Sequence, residues 1–305
     1  MPNDKILIIT SSIDRTADYI IGKYYNDIYF YRFNVDEFDK YDIDIGFLGQ
    51  WSLKNKISGE HIRKEHVKSI YYRKPLIPNL SEFEETYVRM IQKDIVATVT
   101  GIADDFDRKV LSKPYLLRQT ENKIFQLLYA KKNGWNTPES FIGNHNATAS
   151  YFSQKKSIIK PLTTGKVYHG NYCELYQTSL FGKFEDDISL TPIYLQEYKQ
   201  KKYEARVTIV NNDVFAVRID SRDKIDWRRD YEGHKYSLIQ CPNIVLKNCM
   251  KMLSDFGLKF GAFDFIIDES DNWIFLEVNP NGQWQWLEQS LGLNISDKIV
   301  RFLSE

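Results

Sequence analysis

The chain has 305 residues, and its 41 lysines and arginines are balanced by 41 aspartates and glutamates, so its formal net charge is zero. This balance excludes a general binder of nucleic-acid polymers, which relies on bulk attraction to phosphates, but it leaves room for a local basic site. The length fits two or three subdomains that share one site, and the 43% of hydrophobic residues suffice for a substantial core.

The sequence shows no targeting or membrane signal. No stretch approaches the ~18 uninterrupted apolar residues of a membrane span, and the apolar run at 5–10 is too short for a signal peptide. The three cysteines, Cys173, Cys241 and Cys249, form neither a disulfide framework nor a paired metal spacing. We therefore expect a cytoplasmic protein that has no membrane partner.

The first part of the chain alternates between strand-like and helical segments, which predicts a small α/β domain with a parallel core. The predicted strands lie at 28–33, 43–48 and 69–75. The predicted helices lie at 14–25 and 81–108, and Ser81 is the expected N-cap of the second helix. This unit is expected to end near the Lys113–Pro114 step, which sets a domain over 1–115.

The rest of the chain predicts a helix at 120–133, capped by Thr120 and ended by Gly134. The expected strands lie at 157–160 and 192–198, and a hairpin turns at 211–213. A helix is expected at 242–255, followed by two strands, KFGAFDFIID and NWIFLEVN. These elements predict a central domain over 116–190 and a C-terminal domain over 191–305.

The segment 273–288 (WIFLEVNPNGQWQWLE) carries the most informative chemistry. Glu277 and Asn279 are two residues apart in a strand, so their side chains project to the same face. Asp264 joins them if the two closing strands pair. Three oxygen ligands of this kind suit Mg²⁺. The alternative is a polar strand end followed by an ordinary Asn-Pro-Asn-Gly turn.

Lys160 ends an apolar strand, where a buried ammonium needs an anionic partner such as a phosphate. The stretch Thr163–Thr164–Gly165 beyond it could offer backbone N–H groups to phosphate oxygens. The alternative is a lysine whose ammonium reaches solvent, followed by an exposed loop.

A second polar strand end is Gln196–Glu197–Tyr198, which could read the edge of an adenine base. Glu204, a few residues later, could bind ribose hydroxyls. The alternative for this segment is a solvated, charged loop.

Four arginines are candidates for anion binding, because guanidinium groups suit phosphate and carboxylate oxygens. Arg206 and Arg218 lie on the two strands of the predicted hairpin and could face one pocket. Arg228 lies in the IDWRR stretch, and Arg73 lies at a strand end in YYRKP. The alternatives are ion pairs across a solvated sheet face and a simple turn cation.

The order of these features resembles the ATP-grasp fold over about residues 110 to 300. The segments YYRKP, QEYKQKKYEARV, VFAVRIDS, IDWRR and above all LEVNPNGQWQWLE look like the peptide-modifying ATP-grasp ligases, the macrocyclases that make microviridin-like graspetides. The resemblance implies a mixed α/β (α+β) ATP-grasp fold. Its expected parts are an N-terminal pre-ATP-grasp α/β domain, a central domain and a C-terminal domain with an antiparallel sheet.

The resemblance also implies roles for the candidate residues. ATP phosphates would be bound by Lys123 and Lys160, with Gly165 in a closing loop, adenine by Gln196, Glu197 and Tyr198, and ribose by Glu204. The implied Mg²⁺ ligands are Asp264, Glu277 and Asn279. Near the transferred phosphate we expect Arg206 and Arg218.

The implied activity is ATP-dependent activation of Asp or Glu side chains in a ribosomally made precursor peptide. An acyl phosphate forms, and a Thr or Ser hydroxyl or a Lys amine then attacks it to close a macrocycle. His234 and His169 are candidates for the base. The implied partner is a precursor with a leader and a Thr/Glu-rich core, and a homodimer is also expected.

Leader docking is expected at the 204–220 hairpin and a neighbouring helix, where a peptide could also add to a strand edge. Two other functions stay open. One is an ATP-grasp ligase that joins an amino acid to a protein tail or a small acid to an amine. The other is a nucleotide-binding sensor without catalysis.

Overall fold

A computed structural model describes residues 5–163, 165–169, 172–182, 187–223, 225 and 233–305, with the backbone alone described at 166–169 and 172–173. The strands of the first 111 residues are β1 (Lys5–Thr10), β2 (Phe30–Asn34), β3 (Tyr41–Ile45), β4 (Trp51–Asn55), β5 (His61–Arg63), β6 (Val67–Tyr72) and β7 (Lys109–Leu111). Strands β2-β1-β6-β7 form a parallel sheet in that order. The predicted parallel core is confirmed.

Two helices pack in this unit, α1 (Arg15–Tyr24) and α2 (Glu85–Asp104). Asp14 caps α1, because its carboxylate accepts from the backbone N–H groups of Thr16 and Ala17. Ser81 does not cap α2, which begins four residues later without a side-chain cap. The predicted cap is therefore wrong.

Strands β3, β4 and β5 form a separate antiparallel sheet. The strand predicted at 43–48 ends at Ile45, because the N–H of Gly46 donates to the carbonyl of Gln50 at 2.7 Å and closes a turn. Phe47 and Leu48, at the tip of that turn, are exposed.

The central part contains α3 (Pro114–Thr120), α4 (Lys123–Lys132), β8 (Ser140–Gly143), α5 (Asn146–Ser153), β9 (Ser157–Lys160), β10 (Lys166–His169), β11 (Tyr172–Leu175), β12 (Ser179–Phe181) and β13 (Ile193–Glu197). The helix predicted at 120–133 is shorter, and its cap is Asn122, which accepts from the N–H groups of Ile124 and Phe125. Thr120 instead ends α3, where its hydroxyl donates to the carbonyl of Leu116. Two neighbouring residues suited to capping competed for this position.

Strands β12-β9-β13-β8 form the central antiparallel sheet, and β10 pairs with β11 in a hairpin. Strand β13 begins beyond the predicted domain boundary at 190, yet it pairs with β8 and β9. We propose that the boundary lies after this strand, between residues 197 and 203.

The C-terminal part contains β14 (Tyr203–Val210), β15 (Asp213–Asp220), β16 (Lys235–Leu238), α6 (Asn243–Asp255), β17 (Phe260–Ile267), β18 (Trp273–Asn279), α7 (Gln285–Leu291) and α8 (Ile295–Ser304). Its five strands form an antiparallel sheet in the order β16-β15-β14-β17-β18. Asn211, at φ 54°, turns the predicted hairpin between β14 and β15. Strand β14 is paired on both sides and β16 pairs with 217–220 of β15, so among the described residues an edge of this hairpin stays open for strand addition only along the first half of β15.

The two faces of this sheet differ in what covers them. One face, named here the inner face, packs in part against the N-terminal sheet and α7–α8, through residues that include Ile6, Ile8, Val217, Ala262 and Trp284. The outer face packs against α4 and α6, through residues that include Val207, Met252, Phe263, Phe265 and Phe275. Within the described ranges, no helix is long and apolar enough to cross a bilayer.

Candidate active site

The charged part of the inner face carries the predicted metal ligands. Strands β17 and β18 place Asp264 directly opposite Glu277, and Asn279 lies opposite Ala262 on the same face. The Asn279 side-chain amide donates to Asp264 Oδ2 at 3.0 Å. Two carboxylates and one amide oxygen are therefore adjacent and largely buried, and this donor set fits Mg²⁺. The pairing required for Asp264 to join the group is present.

Arg206 lies beside this cluster, opposite Asp264 on β14. Its Nη1 donates to both carboxylate oxygens of Asp264 at 2.8 Å, and its Nη2 donates to the carbonyl of Gln283 at 3.3 Å. A side chain at Gly282 would begin 2.8 Å from Nη2 and 3.1 Å from the Cβ of Asn279. The Asn-Pro-Asn-Gly turn thus needs glycine there so that the loop can lie against the site.

Lys123 reaches the cluster from the central part of the chain. It is the first residue of α4, and Gln126 in the same helix exchanges hydrogen bonds with the backbone of Val278 on β18. This anchor brings Lys123 Nζ to 3.7 Å from Glu277 Oε2 and 2.8 Å from the carbonyl of Pro161. The sequence-predicted lysine and carboxylate are brought together.

Lys160 is the last residue of β9, in the central antiparallel sheet. Its Nζ donates to Gln196 Oε1 at 2.9 Å and lies 4.7 Å from the ring centroid of Tyr194. Burial raises the pKa of Tyr194, and the charges of Lys123 and Glu277 also act on that hydroxyl. Lys123, Lys160 and Glu277 therefore belong to one electrostatic neighbourhood between the two sheets.

The Gln196–Glu197–Tyr198 strand end already uses most of its donors. Gln196 is buried, and its amide donates to Ser140 Oγ at 2.9 Å. The N–H groups of Glu197 and Tyr198 donate to backbone carbonyls. Burial would raise the pKa of Glu197, but the hydrogen bond and charge of Lys199 lower it.

Glu204 is buried on the inner face, two residues before Arg206, and its Oε2 lies 3.0 Å from Lys201 Nζ. Gly165 contacts the backbone of Tyr176 closely, because a Cβ at this position would lie 2.0 Å from the Tyr176 carbonyl oxygen. Thr164 lies outside the described residues.

A model of the RimK-like ATP-grasp domain matches residues 122–303, more than half of the chain. The chain belongs to the RimK-like ATP-grasp family. Among curated proteins, none matches this chain. The expected ATP-grasp fold is confirmed.

Solved structures of three ATP-grasp proteins resemble the whole chain. The RiPP-associated ATP-grasp ligase of Chryseobacterium gregarium, in complex with ADP and a leader and core peptide, is 25% identical, with 99% of this chain and 96% of that chain covered at a TM-score of 0.87. Macrocyclase MdnB of Microcystis aeruginosa is 26% identical, with 98% of this chain and 99% of that chain covered at a TM-score of 0.80. Macrocyclase MdnC of the same organism, bound with precursor peptide MdnA, shares the fold at 21% identity. The match covers 98% of this chain and 99% of that chain at a TM-score of 0.87. The resemblance to peptide-modifying ATP-grasp ligases is confirmed.

Arg218 does not share a face of the C-terminal sheet with Arg206 and the predicted metal ligands. The register pairs Arg218 with Ala205, the neighbour of Arg206, so the two arginines project from opposite faces of the sheet. Arg218 instead forms a bidentate pair with Asp220 and lies over the ring of Tyr203. The expectation of one shared pocket is wrong, because it depended on a register that the hairpin sequence did not reveal.

Arg73 is a buried structural cation of this ATP-grasp chain. Its guanidinium donates to Asp14 Oδ2 and to Gln283 Oε1, each at 3.0 Å, and to the hydroxyl of Tyr71 at 3.3 Å. Burial would raise the pKa of Asp14, but the Arg73 charge and hydrogen bonds from Arg73, Thr10 and Thr16 lower it. Arg73 therefore joins the N-terminal sheet to the loop behind the site rather than facing an external anion.

Three further residues were predicted for the site, namely Arg228, His169 and His234. Arg228 and the side chain of His169 lie outside the described residues. His234 Nδ1 lies 3.0 Å from the hydroxyl of Tyr236. In the described ranges, no group of three or more His, Cys, Asp or Glu side chains could hold a metal ion, and the predicted set has two carboxylates and one amide.

Sequence reasoning missed Gln283, Lys74 and Glu121. Gln283 connects Arg73 to Arg206, through its side chain and its carbonyl respectively. The pKa of Lys74 is lowered to about 8 and that of Glu121 is raised, in both cases mainly through desolvation by neighbouring protein. The two adjacent cations in YYRKP were the one available signal, and only the first was chosen.

Proposed function

We propose that this chain is an ATP- and Mg²⁺-dependent ligase that closes macrocycles in a ribosomally made precursor peptide. It activates Asp or Glu side chains and joins them to Thr or Ser hydroxyls, or to Lys amines. One observation carries the proposal. Asp264, Glu277 and Asn279 form a cluster, and Lys123 Nζ lies 3.7 Å from Glu277 Oε2. The chain that carries this cluster resembles, along its whole length, an ATP-grasp ligase whose structure holds ADP and a leader and core peptide.

The nucleotide is proposed to lie between the central sheet and the inner face of the C-terminal sheet. Lys123 and Lys160 bind its phosphates. Because the N–H groups of Glu197 and Tyr198 are engaged, carbonyl groups of that segment are the available adenine readers. Glu204 binds the ribose, and Gly165 belongs to the loop that closes over the phosphates.

The metal ligands are proposed to be Asp264, Glu277 and Asn279. Mg²⁺, when bound there, supplies positive charge against the transferred phosphoryl group. Arg206 acts beside it, because its fork is fixed by Asp264 and Gln283 and cannot swing away from the site.

The reaction has two group transfers. In the first, an oxygen of the peptide carboxylate bonds to the γ-phosphorus while the bond to the ADP oxygen breaks, which gives an acyl phosphate. In the second, a hydroxyl oxygen or amine nitrogen of the same peptide bonds to the acyl carbon and inorganic phosphate leaves. The proton of the attacking group passes to a base, for which His234 and His169 stay candidates.

The peptide is proposed to carry a leader and a Thr/Glu-rich core, and holding both reacting groups on one bound chain makes the second transfer effectively intramolecular. We also propose a homodimer, supported by exposed apolar side chains at Phe47, Leu48, Tyr87 and Met90. The need for ATP favours the cytoplasm as the compartment.

The test uses the peptide encoded by the open reading frame beside this gene. With ATP and Mg²⁺, the peptide should lose the mass of one water for each bond formed, and ADP should appear in equal amount. Omitting Mg²⁺ or ATP should leave the mass unchanged.

The control is the same peptide with its core Glu and Asp residues changed to Gln and Asn. This control should neither lose mass nor stimulate ADP formation. An unchanged mass of the native peptide would contradict the proposal. A mass gain from an added amino acid would favour an ATP-grasp ligase acting on a protein tail, and nucleotide binding without turnover would favour a sensor.

A further inference from the structure

Gln283 is an exposed residue whose side chain is held by buried ones. It follows Gly282 at the end of the Asn-Pro-Asn-Gly turn. Its Oε1 accepts a hydrogen bond from Thr16 Oγ1 and another from Arg73 Nη2, each at 3.0 Å. Thr16 is 3% exposed and Arg73 is 1% exposed, whereas Gln283 is exposed. The side chain of Gln283 therefore lies where a buried hydrogen-bond network meets solvent.

The two bonds fix the direction of the Gln283 amide. A guanidinium only donates hydrogen bonds, so Arg73 bonds to the oxygen of the amide and not to its nitrogen. Turning the amide over would lose this bond and would place donor against donor. The amide nitrogen Nε2 therefore faces away from Arg73, and within the described part of the chain it has no hydrogen-bond partner.

An exposed side chain that is held in one conformation is ready to bind a ligand. Glutamine is among the side chains that lose most conformational entropy when they are ordered. In Gln283 this entropy is already lost in the free protein, so a ligand that accepts from Nε2 binds at a lower cost. The Nε2 group is therefore a preorganised donor for an oxygen from outside the fold.

Gln283 also contacts the candidate active site through its backbone. Its carbonyl accepts from Arg206 Nη2 at 3.3 Å, and Arg206 Nη1 is paired with Asp264, one of the predicted metal ligands. The next residue, Trp284, is fully buried and donates to the hydroxyl of Tyr71 at 3.3 Å. The backbone on both sides of the Gln283 side chain is thus anchored, and this side chain lies between the carboxyl end of β6 and Arg206.

The charges around Gln283 favour a neutral acceptor. Arg73 is paired with Asp14 at 3.0 Å, and Arg206 is paired with Asp264 at 2.8 Å. Each of the two cations that contact Gln283 therefore already has its anion, and a further anion would be repelled by both carboxylates. A backbone carbonyl is neutral and accepts readily from an amide N–H. It fits this position better than a carboxylate or a phosphate.

We propose that Gln283 contacts the core peptide directly, and that its Nε2 donates to a backbone carbonyl of the core and orients the core beside Arg206. The inference rests on the proposed function. In this arrangement Oε1 holds the side chain in place, and Nε2 binds the substrate. The two tasks belong to different atoms, so a substitution can keep one and remove the other.

The experiment uses Gln283→Glu and the peptide encoded beside the gene. The introduced carboxylate still accepts from Thr16 and Arg73, so the side chain stays held, but it no longer donates. We expect kcat/KM for the peptide to fall by ~10-fold, because one hydrogen bond is lost and an acceptor then faces the peptide carbonyl. The dissociation constant for ADP should stay within about 2-fold of native, and the melting temperature should not fall.

The matched control is Gln285→Glu, which adds the same charge two residues later, at the first residue of α7. This variant should keep the native kcat/KM. A second variant, Gln283→Met, removes both Oε1 and Nε2. It should lower kcat/KM and also the melting temperature, because buried donors of Thr16 and Arg73 lose their acceptor.

Three results would overturn the contact. A native kcat/KM in Gln283→Glu would leave Gln283 as an anchor of the turn and no more. An equal fall in Gln285→Glu, or an equal weakening of ADP binding in Gln283→Glu, would show that the added charge alone causes the effect. A native chain that leaves the peptide mass unchanged would instead overturn the proposed function itself.

Discussion

The inner and outer faces of the five-stranded sheet are built from the same strands and serve different ends. The outer face is apolar along most of its length and is covered by α4 and α6. The inner face is apolar where it meets the N-terminal sheet and charged at Arg206, Asp264 and Glu277. Successive side chains of a strand alternate between faces, so one β14–β15 hairpin supplies Arg206 to the site and Arg218 to the outer surface. The position of a residue along its strand decides whether its side chain is buried, and whether that position is odd or even decides which face it lies on.

The largest difference between the two faces is expected from Glu277→Gln on the inner face. Turnover should fall by at least ~100-fold, because an amide replaces a carboxylate that offers charge to a metal worth several kcal/mol to phosphoryl transfer. The melting temperature should change little, since Glu277 is held by neighbouring side chains and not by the apolar core. Peptide mass loss and thermal unfolding are the two measurements.

The control for this variant is Glu269→Gln, an exposed carboxylate in the turn between β17 and β18. It should have native turnover. If Glu277→Gln turned over at the native rate, the assigned metal ligands would be wrong. If both variants were equally slow, the effect would come from net charge and not from the site.

Much of this sheet could be predicted from the sequence, because its signals are local. The β-branched runs around Asn211 predict a hairpin, and the spacing of Glu277 and Asn279 predicts a shared face. The pairing that adds Asp264 was open in the sequence and is decided by the register. The face of Arg218 could not be derived, because a shift of one residue reverses every side chain.

The N-terminal part shows the same limit from another side. The sequence predicts that YYRKP ends a strand, and β6 does end there. It does not show that Asp14 and Gln283, far apart in the chain, both bind Arg73. Burial of this arginine is a tertiary property, which the sequence alone does not reveal.

A smaller effect is expected from exchanging the two hairpin arginines for lysine. Arg206→Lys should lower turnover by ~10- to 100-fold, because an ammonium cannot reproduce the two bonds to Asp264 and the bond to Gln283, and buried groups left unpaired cost ~1–3 kcal/mol each. Arg218→Lys should stay within about 1 kcal/mol of native stability, since its pair with Asp220 is partly exposed.

The two variants carry the same conservative change on opposite faces, so each is the control of the other. Peptide turnover and the free energy of unfolding should both be measured. Equal losses of turnover would show that the two arginines act at one site after all. A silent Arg206→Lys would remove the guanidinium fork from the proposed chemistry.

The smallest effect is expected from Lys160→Ala, a change in the central sheet and not on the inner face. This change removes the ammonium that lies over Tyr194 and donates to Gln196, so the affinity for ADP should fall by ~10-fold, which is the loss of one charge-assisted hydrogen bond. Calorimetric titration with ADP measures it, and Lys247→Ala on the exposed side of α6 is the control. A larger loss than in Lys123→Ala would indicate that Lys160 is the main phosphate ligand. Unchanged affinity would make Lys160 a support for Gln196, and Lys123 would then be the one lysine that connects the nucleotide to the metal ligands.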